Sequence, residues 1–96
     1  MVKVTTINLE FPKNETSLAG FPYGENVYQN QVKGKISFDG DITIVFPNQI
    51  EKVASSFVQG FFANIVTAIG YKGIEKKVSI MSKSDKLTSS IRKNIY

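Results

Sequence analysis

The stretch between residues 54 and 69 limits what this chain can fold into more than any other. Phe57, Phe61, Ile65 and Ile69 recur at every fourth position, and Val58, Phe62 and Val66 widen the stripe they form. The opposite side is small or polar, with Ser56, Gln59, Gly60, Ala63 and Thr67. A helix with so broad an apolar face must lay it against another layer of structure. Burying each large side chain contributes about 1.5–3 kcal/mol, so the core is expected to form around this helix. Ser55 or Ser56 supplies an oxygen suited to capping its first turn, and Gly70 stands where a left-handed closing residue belongs.

The flanking segments read as strands. Ile42, Ile44 and Phe46 alternate with Thr43, while Val45 adds an apolar group to the other side, which predicts a central strand covered on both faces. In residues 76–81, Val78 and Ile80 point one way and Lys77 and Ser79 the other. Strand, helix and strand then form a parallel βαβ unit with a right-handed crossover. Residues 2–11 predict another strand, ended by Pro12, with a bulge or bend at Thr5-Thr6 where the apolar parity changes. Residues 13–24 read as a loop turned by Gly20 and Gly24, with a short strand near residues 16–21. A helix is expected over residues 25–35, closed by Gly34, and a tight turn over residues 38–41. A last helix runs to about Ile95, capped by Ser84 or Asp85, with Leu87, Ile91 and Ile95 along one seam. The sum is a single α/β domain spanning residues 1–96: a small layer fold with a mixed or parallel sheet of three to five strands and three helices.

Composition narrows the chemistry. The 96 residues include no cysteine and no histidine, so thiolate metal sites, disulfides, cysteine nucleophiles and a Ser-His-Asp triad are all excluded. No enzyme activity, cofactor or metal is expected. Asp39 and Asp41 flank Gly40 and are read as turn formers before a cation pair. No basic-then-apolar leader opens the chain and no apolar run is long enough to span a bilayer, which fits a cytoplasmic protein. Residues 1–48 carry four lysines against five acidic residues; residues 49–96 carry eight Lys/Arg against three. Within that basic half, Lys83, Lys86, Arg92 and Lys93 could touch nucleic-acid phosphates, a weak and salt-sensitive footprint.

The run Ile42-Thr43-Ile44-Val45-Phe46, followed by Ala54-Ser55-Ser56-Phe57-Val58-Gln59-Gly60-Phe61-Phe62, resembles the STAS-like domain family of unknown function. The resemblance extends roughly over residues 20–95. That family is similar in outline to the STAS domains of anti-sigma-factor antagonists. These are small cytoplasmic switch proteins without catalytic activity. They bind an anti-sigma factor that is also an ATPase-type kinase, and phosphorylation of a serine releases them. The serine lies in an Asp-Ser-Ser-Gly motif that opens a helix. Ala54, Ser55, Ser56 and Phe57 occupy the matching positions, so the two serines match and the aspartate and glycine do not. The resemblance implies a protein–protein interaction module switched by phosphorylation at Ser55 or Ser56.

In α/β folds, ligands and partners gather beyond the carboxyl ends of the strands. The expected contact surface is therefore Asn48, Gln49, Glu51, Lys52, Ser55, Ser56 and Gln59; Phe21 and Tyr23 either extend it or cover the sheet edge. The alternative function is that of a small phage or mobile-element protein that inhibits a host or defence protein by direct binding. Homodimerisation through an uncovered strand at residues 2–11 is a further expectation.

Overall fold

The structure is a computed structural model and describes residues 4–36 and 39–96. Along the chain run β1 (Val4–Asn8), β2 (Ser17–Leu18), α1 (Phe21–Gln31), β3 (Asp41–Val45), β4 (Lys52–Val53), α2 (Ser55–Lys77), β5 (Val78–Met81) and α3 (Asp85–Ile95). The main sheet has the order β1-β3-β5, and β2 and β4 form a second, two-stranded sheet. Every pairing is parallel. The expected pairing of the two middle strands is present, with Ile42 opposite Val78 and Ile44 opposite Ile80.

That register puts Ile7, Ile42, Ile44, Val78 and Ile80 on one buried face, continued by Leu9 and Phe46 just beyond the strand ends. The other face carries Thr6, Thr43 and Ser79 in one row and Asn8, Val45 and Met81 in the next. This second face is not covered as expected: Met81 is 57% exposed and Val4 60%. The reason lies in the winding. The strand order advances in one direction only, and right-handed crossovers made in one direction deliver their helices to one side. The predicted bulge is also absent, because β1 pairs in unbroken register from Val4 to Asn8 and leaves Val4 outside the core. Residues 2 and 3 of that expected strand, and the start of the turn at residues 38–41, lie outside the described residues.

Helix α1 begins at Phe21, inside the segment expected to be loop. Gly20 enters it at φ 100°, and Pro22 sits in the first turn, where a missing amide hydrogen leaves no helical bond unmade. The helix closes early. The Tyr28 carbonyl accepts from both Val32 and Lys33 at 2.9 Å, and Gly34, at φ 82°, completes the turn.

Helix α2 breaks at Gly70 (φ 71°, ψ 174°), as the expected closing residue would dictate, but the chain resumes as helix over residues 71–77 and buries Ile74. Strand β5 therefore starts at Val78 and not at Lys76. Helix α3 follows the expectation. Ser84 is its N-cap and accepts from the Leu87 amide at 3.2 Å, and Leu87, Ile91 and Ile95 are buried.

The helices meet over an aromatic centre. Phe61 lies 4.9 Å from Phe62, 6.1 Å from Phe57 and 6.1 Å from Tyr28, ring centre to ring centre. Gly24 and Gly60 are buried where α1 and α2 cross. A Cβ on Gly24 would overlap the Phe57 carbonyl oxygen, and one on Gly60 the Phe21 carbonyl oxygen. Gly24 is thus a helix-crossing residue and not a turn residue. On the small side of α2, Gly60 is the residue that lets α1 approach, while Ser56, Gln59 and Thr67 stay exposed.

Candidate functional site

Short connections join β2 to α1, β4 to α2 and β5 to α3, so all three helices begin at the end of the molecule where the parallel strands finish. Each helix start presents unpaired amides and a partial positive charge. The contact surface expected from the sequence lies at this end, and the structure gives its residues different tasks.

Helix α2 takes Ala54 as N-cap, with no side chain bonded to its first amides. Neither serine caps it, contrary to expectation. Ser56 instead accepts a hydrogen bond from the Gly20 amide at 3.0 Å and ties the start of α2 to the start of α1. Ser55 is exposed and its hydroxyl has no hydrogen-bond partner among the described residues.

Gln49 is drawn into the fold: its amide donates to the Pro12 carbonyl at 2.6 Å and the Phe11 carbonyl at 3.3 Å, and so clamps the chain leaving β1. Asn48, Lys52 and Gln59 are exposed. Glu51 pairs with Lys83 at 3.3 Å. Phe21 is 42% exposed on the first turn of α1. Tyr23 turns inward, with its ring edge-on to Phe57 at 5.5 Å and to Phe11 at 6.4 Å. Its hydroxyl donates to Glu15 at 2.7 Å. Burial, then the hydrogen bond to Glu15 and its negative charge, push the Tyr23 hydroxyl up to about 12.

A groove of about 690 Å³, which no sequence pattern had indicated, opens at the same end. Leu18, Val53 and Leu87 form its apolar floor, and Lys52, Lys86, Ser84 and Ser90 stand around it. Its walls come from three segments far apart in the chain, the small sheet and α3, so only the tertiary structure assembles it. Ala54, next to Ser55, closes one side.

The four basic residues proposed for nucleic acid do not form one free patch. Lys83 is paired with Glu51, and Arg92 donates to the Val78 carbonyl at 2.9 Å on the outer side of β5. Lys86 borders the groove and Lys93 is exposed on the last turn of α3. Asp39 and Asp41 belong to no cluster of three or more possible metal ligands among the described residues. No helix among the described residues is long and apolar enough to cross a membrane.

Compared with known proteins, the chain matches no family model, no curated protein and no solved structure.

Proposed function

We propose that this protein is a non-catalytic protein-interaction module that docks a partner at the end where its three helices begin, and that phosphorylation of Ser55 releases the partner. The observation that carries this reading is the groove beside the first turn of α2: an apolar floor between two lysines, next to an uncapped helix start with a free hydroxyl. An apolar anchor flanked by acidic residues suits such a lining, because the floor gains from exclusion of water and the helix starts favour negative charge.

A phosphate on Ser55 would be held by the unpaired amides of the helix start, so the fold is retained. It would also add nearly two negative charges beside the groove and repel an acidic partner. Ser56 is the poorer acceptor, because its oxygen braces the junction between the two helices. A partner of the ATPase-kinase class would both read this surface and modify it, in keeping with the resemblance to STAS-like switch proteins and with a cytoplasmic setting.

The test is affinity capture from the source cell with the wild type, Ser55→Asp and Ser55→Ala, each checked for folding by circular dichroism. The wild type and Ser55→Ala should retain the same partner and Ser55→Asp should lose it. Equal retention by Ser55→Asp removes the switch. A surface that retains nothing in any form removes the docking role.

A further inference from the structure

The two edges of the main sheet are treated differently. On β5, Arg92 reaches across to the Val78 carbonyl and occupies the outer side. On β1, Gln31 at the end of α1 imitates a neighbouring strand at a single residue: its side-chain oxygen accepts from the Glu10 amide at 2.7 Å, and its nitrogen donates to the Glu10 carbonyl at 2.8 Å. Short of Glu10 the edge is open. The Leu9 amide donates to Val45 at 2.9 Å, and alternate residues of a parallel ladder serve the same neighbour. Thr5, Ile7 and Leu9 therefore spend their backbone groups on β3, while Val4, Thr6 and Asn8 direct theirs outward. A notch of about 420 Å³ runs beside Thr6 and Asn8, bordered by Asn30, Gln31 and Lys35.

We propose that this edge binds a second copy of the same chain, with β1 pairing antiparallel to its symmetry mate around a twofold axis at Thr6. Two features favour a second copy over another partner. Val4–Asn8 carries no charge, although the chain as a whole is at +4, so two copies meet here without repulsion and a charged strand would gain no complement. Natural edges are normally protected by charge, proline or a covering element; Val4–Asn8 carries neither charge nor proline, and among the described residues only Asn30, Gln31 and Lys35 flank it, leaving a notch. The open window is also self-complementary. With Thr6 opposite Thr6, Val4 falls opposite Asn8 in both directions, and all the outward amides and carbonyls find partners. Gln31 stops the pairing at Glu10 and so holds the register. Two three-stranded sheets become one continuous sheet, joined edge to edge through β1. Because β5 is the opposite edge, α3 and the groove beside it stay free in each copy.

The absence of cysteine gives a direct test of the register. A Thr6→Cys variant should cross-link to itself under mild oxidation, since paired residues lie about 5.5 Å apart, within disulfide reach. Asn8→Cys should not, because two copies of residue 8 would be about 13 Å apart. Sedimentation equilibrium of the wild type at concentrations up to about 1 mM should show a reversible dimer. Thr6→Pro should weaken it about 100-fold, because proline fits an outward edge position but removes both axial donors. A wild type that stays monomeric throughout that range overturns the proposal, as does an Asn8→Cys variant that cross-links as readily as Thr6→Cys. Should Thr6→Pro fail to fold, the cysteine pair still decides.

Discussion

Tyr23 shows what a single hydroxyl contributes. Its proton is held up to about 12 in the folded chain, against the ordinary value of 10.0 once unfolded. The stabilisation is complete below pH 10 and is lost as pH rises from 10 towards 12, because the unfolded state releases the proton first. Urea unfolding across that window should show falling stability. Tyr23→Phe, which removes the titrating group, should make the fall shallower; buried Tyr28, also raised by desolvation, acts in the same direction. Glu51 and Lys83 are the contrasting pair. Their side chains are 61% and 40% exposed, so solvent screens the contact. Glu51→Gln should change unfolding stability by less than about 0.5 kcal/mol. A larger loss would show that the pair holds the loop before α3 in place.

Among the elements, the α1–α2 crossing is the most demanding joint. Gly60→Ala and Gly24→Ala each place a methyl group against the backbone of the other helix, and each should cost about 3 kcal/mol or more by denaturant titration. Gly34→Ala meets no atom within 4 Å and should cost only about 1 kcal/mol, from its positive φ. Ser84→Ala should cost about 1 kcal/mol by removing the cap on α3. These elements also show how far the sequence could be read. Strand β3, the core of β5, the long first segment of α2 and the capped α3 carry strong periodicity or clear end signals and were legible, while β2 was expected only as a short strand within a loop. The start of α1 was not, because Phe21-Pro22-Tyr23-Gly24 has the composition of a turn. Only the backbone contact with Phe57 explains why a glycine sits within the helix. Residues 71–77 were hidden in the same way: Gly70 does end one helical run, yet nothing nearby signals that Ile74 will draw a second into the core. For the candidate site, the surface expected from the sequence lies at the end where the helices begin, but its residues take different tasks there. The sequence could not separate Ser55 from Ser56, detach Gln49 from the surface set or reveal the groove, since each depends on contacts with distant segments.

The molecule as a whole is one-sided, with three helices on one face of a parallel sheet that usually needs two coverings. Its tolerance should be equally lopsided. Met81→Ser should shift stability by less than about 0.5 kcal/mol, whereas Ile80→Ala, one residue away but facing the helices, should cost about 3 kcal/mol. Measured at dilutions where the chain is monomeric, a large loss at Met81 would mean that its face contributes to folding. The joint at Gly24 and Gly60 has a mechanical outcome as well. With no side chains between the two backbones to absorb a displacement, the opening turns of α1 and α2 should shift together. A partner gripping the Phe21 ring would therefore feel a change at Ser55 without touching it.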